Sequence, residues 1–149
     1  MAWKRLIFIF LFFSSVVEAQ EIKLRKIISF DEPWGSSFVN DDELLITEKS
    51  GKIKVFNLDK NIVNEISHNL NVLEHGQGGL LDIIYKNNTV WVSYSEKRND
   101  WKTSTSIAKG VFNNNKINFK NIFQAYPAIE SPYHFGSRLS IKDDYLFAS

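Results

Sequence analysis

The fold is decided by the stretch HGQGGLLD at residues 75–82, read together with YHFGSRL at residues 133–139. In both stretches a polar or titratable residue is followed by small residues and then by an apolar run typical of a β-strand. Glycine lets the backbone approach a ligand closely, and the strand that follows fixes the direction of the preceding side chain. The pattern therefore predicts that Gln77 and His134 lie at equivalent ends of two strands, at the mouth of a repeated β-architecture.

The sequence before these stretches consists of short strands and turns. The strands predicted in this first unit are residues 22–24, 37–39, 44–47 and 53–56. Pro33 and Gly35 break the first of them, and the polar tetrapeptide at residues 40–43 makes a turn, because Asn and Asp tolerate turn dihedrals. The last three strands are predicted to form an antiparallel meander.

The same unit then returns along the chain. The predicted strands of the second unit are residues 79–85, 89–94, 105–111 and 117–123, and the third unit opens with residues 135–141 and 145–149. Units that recur every 40 to 60 residues or so, with up to four strands each, are typical of propeller blades. The predicted fold class is therefore all-β, a β-propeller of which about two and a half blades are present. Because a propeller ring needs about four blades to close, we expect the chain to be the N-terminal part of a longer protein.

The first residues predict the compartment. Lys4 and Arg5 precede an apolar run at residues 6–13, and a small-residue cleavage site ends at Ala19. This order is that of a secretory signal peptide, cleaved after Ala19. The apolar run is well short of the roughly 20 residues that a spanning helix needs. We therefore expect a signal peptide at residues 1–19, a propeller part at residues 20–149, a periplasmic or secreted protein, and no stable membrane insertion after cleavage.

The composition excludes other classes of protein. The formal net charge is +1, with 18 Lys and Arg against 17 Asp and Glu, so the basic surface expected of a nucleic-acid-binding protein is missing and no nucleic-acid partner is predicted. The chain contains no cysteine, which excludes disulfides and thiolate metal sites.

Motifs along the chain resemble the soluble PQQ-dependent sugar dehydrogenases, the glucose and sorbosone dehydrogenase group, and most closely its aldose sugar dehydrogenase branch. The matching motifs, in the order of that family, are PWG at 33–35, TEKSG at 47–51, GQGGLLD at 76–82, VSYS at 92–95 and HFGSRL at 134–139. From the first to the last, they span nearly all of the mature chain.

The resemblance implies a six-bladed propeller whose central mouth holds pyrroloquinoline quinone (PQQ), with Ca²⁺ polarising the quinone. It implies a quinoprotein aldose or glucose dehydrogenase that oxidises aldose sugars at the anomeric carbon to the lactone and passes the electrons to an external acceptor. The calcium ligands of the family fall in later blades, so no metal ligand is predicted in this chain. Because half of the cofactor site would be absent, the 149 residues alone are expected to be inactive.

The resemblance also implies roles for particular residues. His134 matches the family's general base, and neutral imidazole suits that role because its pKa lies near the operating pH. Gln77 matches a residue beside cofactor and sugar. Tyr133 stands where the glucose-oxidising members have an acid, and a phenol can hydrogen-bond a sugar hydroxyl or stack on a pyranose. Tyr133 therefore leaves the sugar preference open.

The remaining polar and aromatic residues have structural interpretations. Arg138 is predicted to pair with a carboxylate of the next blade, and His75 to be a solvated turn residue. His68 is placed in a polar loop without a role. Turn or strand-end positions are expected for Asp82, Asp143 and Asp144, and packing between blades for Trp34 and Trp91.

Two other functions compete with the dehydrogenase. The first is a non-catalytic secreted propeller that binds a glycan or a protein partner at the same mouth, since propellers host many unrelated functions. Basic residues around the mouth would favour an anionic quinone, and their absence would favour binding. The second is a metal-dependent, lactonase-like hydrolase, which needs inward-facing carboxylates and Asn where this sequence offers Ser, Gln, Gly and His.

Overall fold

The chain folds into β-strands joined by turns and loops. The computed structural model describes residues 22–99 and 102–149, so the predicted signal peptide at residues 1–19 lies outside the described residues. The strands are β1 (Pro33–Phe38), β2 (Glu43–Glu48), β3 (Ile53–Asn57), β4 (Ile62–His68), β5 (Leu80–Lys86), β6 (Thr89–Lys97), β7 (Thr103–Val111), β8 (Lys116–Ile117), β9 (Lys120–Gln124), β10 (Leu139–Lys142) and β11 (Tyr145–Ala148). Within the described ranges, no helix has the length and apolar character needed to cross a membrane.

The first blade is the antiparallel sheet β1-β2-β3-β4. It confirms the predicted meander, and its first turn is held as expected, with the Asn40 side-chain oxygen accepting from the Asp42 amide at 2.9 Å. The prediction missed β4, the outer strand. In β4 only Ile66 is fully buried, so the alternation of apolar and polar residues that reveals a half-buried strand is absent.

Two predictions at the start of this blade were wrong. Residues 22–24 form no strand, and Ile22 and Leu24 are exposed. Pro33 and Gly35 do not break a strand but lie within β1, whose register with β2 shifts between Pro33 and Ser36. Proline is tolerated at the first position of a strand, and a bulge absorbs the irregular residues that follow it.

The second blade is the antiparallel sheet β5-β6-β7-β9. Strands β6 and β7 are longer than predicted, which shortens the loop between them to residues 98–102. The predicted strand 117–123 is divided, because β8 leaves this sheet and pairs in parallel with the end of β4. Next to that pairing, the Asn69 side chain accepts from the Phe119 amide at 2.7 Å and donates to the Phe119 carbonyl at 3.0 Å. The outer part of blade 2 is thereby fastened to blade 1.

The third unit is the antiparallel hairpin of β10 and β11. Its turn lies where the sequence predicts, and Asp143 adopts a positive φ of 54° there. The predicted strand 135–141 is shorter than expected and begins only at Leu139. His134 and Gly136 both have positive φ, at 67° and 62°, which interrupts the extended backbone before Leu139.

The hydrophobic core lies between blades 1 and 2. Blade 1 contributes Leu45, Ile53, Val55 and Ile66, and the second unit contributes Leu80, Ile83, Val90, Val92, Tyr94, Ala108, Ile117 and Phe119. Burying a side chain of this size contributes about 1.5–3 kcal/mol. The apolar faces of the two sheets therefore account for the packing of one blade on the next.

A buried hydroxyl links the first strands of neighbouring blades in the same way twice. Thr47 Oγ1 accepts from the Gly35 amide of its own blade at 2.9 Å and donates to the Leu81 carbonyl of blade 2 at 2.5 Å. Ser93 Oγ repeats both bonds. It accepts from the Asp82 amide at 3.0 Å and donates to the Ser137 carbonyl, just before β10, at 2.5 Å.

Candidate functional site

Gln77 and His134 meet just before the first strands of blades 2 and 3. The His134 amide donates to Gln77 Oε1 at 3.1 Å, and both side chains are exposed. The structure therefore brings together the two residues that the sequence singles out, although they are 57 positions apart. His134 is separated from β10 by residues 135–138. The position of its backbone is therefore set by the hydrogen bonds of this loop and not by a strand directly after it.

His134 lies on a segment that crosses the end of blade 2, here called the crossing segment (residues 125–138). It starts after the outer strand β9 and ends at β10. The Ala125 amide donates to the Thr105 carbonyl at 2.8 Å, and Ile129 exchanges two backbone hydrogen bonds with Thr103, at 2.9 and 3.0 Å. Thr105 Oγ1 donates to the Phe135 carbonyl at 2.7 Å. Strand β7 thus holds the segment on both sides of His134.

The glycine-rich turn before β5 packs directly on the crossing segment. The Gln77 amide donates to the Pro132 carbonyl at 2.7 Å, and the Gly78 amide closes the turn on the His75 carbonyl at 2.9 Å. Gly76 has a φ of +58°, and a Cβ there would collide with Pro132. Only glycine combines this backbone conformation with so close an approach.

The backbone of His134 is in the left-handed region, with φ at 67°. An L-residue pays about 1–2 kcal/mol for this conformation, so its surroundings must hold it. The imidazole is exposed and lies tilted against the Tyr133 ring, with centroids 6.2 Å apart. It makes no hydrogen bond to the described residues, so its nitrogens are available to a ligand. Tyr133 is also exposed, at 56%, which places all three sequence-predicted site residues on one surface.

Asp82 and Arg138 join blade 2 to the end of the crossing segment. Asp82 is 5% exposed and accepts from the Leu139 amide at 2.8 Å, the Ile83 amide at 3.0 Å and Arg138 Nη1 at 3.3 Å. The predicted partner of Arg138 is therefore a carboxylate, but of the preceding blade rather than the next one. The interpretation of Asp82 as a turn or strand-end residue was wrong, since it lies inside β5 and fixes the start of β10.

The other histidines have different surroundings. His75 is exposed, as predicted, and lines a cavity of about 470 Å³ together with residues 130–132 of the crossing segment. His68 does not lie in a polar loop. It ends β4, its Nε2 lies 2.6 Å from the Gly51 carbonyl, and its Nδ1 accepts from the Leu70 amide at 3.2 Å. These two partners fit the tautomer that carries the proton on Nε2, and they make His68 a structural residue.

Trp91 and the acidic hairpin turn share one cleft, whereas Trp34 is partly exposed. Trp91 lines a cleft of about 320 Å³ between blade 2 and the β10–β11 hairpin, together with Asp143 and Asp144 of its turn. This agrees with the predicted positions of these three residues. Trp34 is 39% exposed on β1, so the described residues do not enclose it between blades.

A polar cluster around Glu96 was not predicted from the sequence. Its carboxylate accepts from Ser106 Oγ at 2.6 Å, Gln124 Nε2 at 2.8 Å and Asn121 Nδ2 at 2.9 Å, and it lies 3.1 Å from Arg98 Nη2. Burial alone would raise the pKa of Glu96, but these hydrogen bonds and the charge of Arg98 outweigh it and lower the pKa below 4.5. The members come from three strands and a loop, so no local motif could reveal them.

The Glu96 cluster stiffens the end of blade 2 over which the crossing segment runs. Tyr94 donates its hydroxyl to Asn121 Oδ1 at 2.8 Å, and burial raises the pKa of Tyr94 to about 12. Thr103 Oγ1 donates to the Glu96 carbonyl at 2.9 Å, and the backbone of Thr103 binds Ile129.

Across residues 22–99 and 102–149, no three His, Cys, Asp or Glu side chains lie close enough together to hold a metal ion.

Comparison with known proteins points to one family. Residues 30–149 match the family model described as Glucose / Sorbosone dehydrogenase. The aldose sugar dehydrogenase YliI of Escherichia coli (strain K12) is 32% identical over 118 residues, which cover 73% of this chain and 32% of that protein. The crystal structure of the soluble aldose sugar dehydrogenase from Escherichia coli in the apo form matches with a TM-score of 0.68 and 32% identity, over 74% of this chain and 35% of that one.

A PQQ-bound structure has the same fold. It is the aldose sugar dehydrogenase from Streptomyces coelicolor, with a TM-score of 0.66 and 18% identity, over 78% of this chain and 36% of that one. Together these matches confirm the predicted all-β propeller architecture. The chain spans about a third of the length of the relatives it matches.

Proposed function

Because the chain belongs to the glucose/sorbosone dehydrogenase family, we propose that this protein oxidises an aldose sugar at its anomeric carbon to the lactone, with PQQ as the acceptor. The observation that carries the proposal is the direct contact of His134 with Gln77, beside Tyr133, on one exposed surface. In the reaction the anomeric hydroxyl loses its proton to a base, the C1–H bond breaks with loss of hydride, and a C=O bond forms at C1. One proton and one hydride leave the sugar, which together are two protons and two electrons.

His134 is the base of this proposal. Its imidazole nitrogens lie on an exposed surface and bind none of the described residues. Neutral imidazole is a general base suited to a pH near 7. The bonds of the crossing segment hold the backbone of His134 in place before the sugar arrives. Such preorganisation matters because a misplacement of about 1 Å can cost a hundredfold in rate.

Gln77 and Tyr133 would bind the ligands of this site. The Gln77 amide and the Tyr133 hydroxyl are hydrogen-bond donors, and the exposed Tyr133 ring offers an apolar face to a pyranose. A phenol lacks the charge-assisted hydrogen bond with which a carboxylate would grip a sugar hydroxyl. We therefore expect a broad preference among aldoses.

The chemistry of the donor set fits PQQ. Its quinone oxygens are acceptors, and Gln77 has a donor to offer them. When bound, PQQ supplies the two-electron acceptor that no side chain can provide, and an external acceptor then takes the electrons. The Ca²⁺ that the resemblance implies is expected to be bound by residues of later blades.

Turnover by the complete gene product tests the reaction. Purified protein is supplied with PQQ, Ca²⁺, a redox dye and a series of aldoses, and dye reduction is compared with and without PQQ. The proposal expects PQQ-dependent reduction with several aldoses at comparable rates. An absence of turnover with every sugar would contradict the dehydrogenase and leave the binding propeller, and one sugar far above the rest would contradict the broad preference alone.

The compartment is part of the proposal. The pattern of residues 1–19 supports export to the periplasm or the medium, with cleavage after Ala19. Mass spectrometry of the mature protein checks this, because the expected first residue is Gln20. A mature protein that starts at Met1 in the cytoplasmic fraction would contradict it.

A further inference from the structure

Gln77 contacts the crossing segment on both sides of Tyr133. Its backbone amide donates to the Pro132 carbonyl at 2.7 Å, and its side-chain Oε1 accepts from the His134 amide at 3.1 Å. One residue of blade 2 therefore fixes two peptide groups that flank the site. A side chain that acted only on a ligand would not need the second bond.

The donor to Gln77 Oε1 is the backbone amide of His134, whose orientation is tied to the positive φ angle of that residue. The φ angle of His134 is 67°, and φ is the rotation about the bond between its amide nitrogen and Cα. An acceptor that fixes the amide direction therefore restricts this angle. The bond from Thr105 Oγ1 to the Phe135 carbonyl holds the Phe135–Gly136 peptide. It leaves the His134 amide without another partner in the described part of the chain.

The same bond determines which end of the Gln77 amide is free. A backbone N–H can only donate, so the side-chain atom that faces it must be the carbonyl oxygen and not the NH₂ group. The acceptor of Gln77 is thus already engaged within the protein. What remains without a partner among the described residues is the exposed Nε2 group, which can only donate.

We propose that Gln77 is a positioning residue, which holds His134 in the left-handed conformation through Oε1 and offers the ligand its donor, Nε2. Its ligand atom is then an acceptor oxygen, such as a carbonyl oxygen or the lone pair of a hydroxyl. The catalytic consequence rests on the proposed function, since it matters for turnover only if His134 is the base. The structural claim stands independently of it.

The test is residue-resolved hydrogen exchange at the His134 amide in the complete protein, without sugar or PQQ. Gln77→Met removes both polar ends at similar length, whereas Gln77→Glu keeps an oxygen acceptor and removes the donor. We expect Gln77→Met to speed exchange at His134 by about threefold to tenfold, the range for one hydrogen bond, and Gln77→Glu to restore wild-type exchange. His75→Gln, in the same turn, is the matched control and should leave the His134 amide unchanged.

A crystal structure of Gln77→Met provides the second readout. It should show residue 134 outside the left-handed region, with the Pro132 contact kept. Because Gln77 is exposed, the variant should fold and melt within a few degrees of wild type, and Gln77→Ala should behave in the same way. If His134 keeps both its φ and its exchange rate in Gln77→Met, the inference is overturned. Turnover that survives in His134→Ala would instead overturn the proposed function and leave this result intact.

Discussion

The contact between blades 1 and 2 and the crossing segment are stabilised by different forces. The contact between the blades is a closed set of apolar side chains, of which Leu45, Leu80 and Val92 are fully buried. The crossing segment has few buried side chains. It donates hydrogen bonds to Gln77 and Asp82 and accepts them from Thr105 and Ser93. Apolar burial is not directional, so many combinations of apolar side chains would pack one blade on the next. Hydrogen bonds are directional, so a set of them specifies one loop conformation. Apolar burial therefore stabilises the fold, whereas hydrogen bonds shape the candidate site.

The largest effect on stability should come from the contact between the blades. Leu45→Ala removes a fully buried side chain from it, and we expect a loss of about 3 kcal/mol in the free energy of unfolding. Denaturant unfolding of the complete protein measures this loss. Leu24→Ala, at a position that is 95% exposed, should change stability by less than about 0.5 kcal/mol. Equal losses in the two variants would contradict the assigned core.

The two buried hydroxyls allow a sharper comparison. Thr47→Val leaves a buried amide and a buried carbonyl without their partner, and Ser93→Ala leaves a buried amide and a partly buried carbonyl. Each should cost about 1–2 kcal/mol. Only Ser93 binds the crossing segment, three residues after His134. We therefore expect Ser93→Ala to lower kcat several-fold and Thr47→Val to leave kcat unchanged. If both variants lower kcat equally, the crossing segment is not the specific link to the site.

The smallest effect concerns the Glu96 cluster and depends on pH. The pKa of Glu96 is lower in the folded protein than the usual 4.5. Its ionised form therefore stabilises the fold above that value, and the contribution is lost as the pH falls from 4.5 through the lower pKa of the folded state. Glu96→Gln should have a lower Tm than wild type at pH 7, with a difference that shrinks toward pH 3. A constant difference between pH 7 and pH 3 would contradict this.

The sequence predicts the parts of the fold that depend on local chemistry. Turns at residues 40–43, 86–88 and 142–144 follow from the dihedral preferences of Asn and Asp, and the half-buried strands β2, β3, β5 and β6 follow from their apolar pattern. The recurring units then indicate a propeller. Strand β4 and the short β8 could not be predicted, because β4 is mostly exposed and β8 exists only through its pairing with β4.

The site is predictable only in part. The motifs identify Gln77, Tyr133 and His134, and the structure places them together. The bond between Gln77 Oε1 and the His134 amide has no sequence signal, since it depends on how the crossing segment packs on blade 2. The same holds for Asp82, whose partners Arg138 and Leu139 lie 56 and 57 positions away, and for the Glu96 cluster.

The role of His134 is tested most directly by comparing PQQ-dependent dye reduction in His134→Ala and His75→Ala, both in the complete protein. His75 is an exposed histidine of the neighbouring turn, so it controls for the loss of any imidazole near the mouth. We predict that His134→Ala loses on the order of a hundredfold or more in kcat, the contribution of a general base, while His75→Ala stays within about threefold of wild type. Retention of wild-type kcat by His134→Ala would contradict the assignment of His134 as the base.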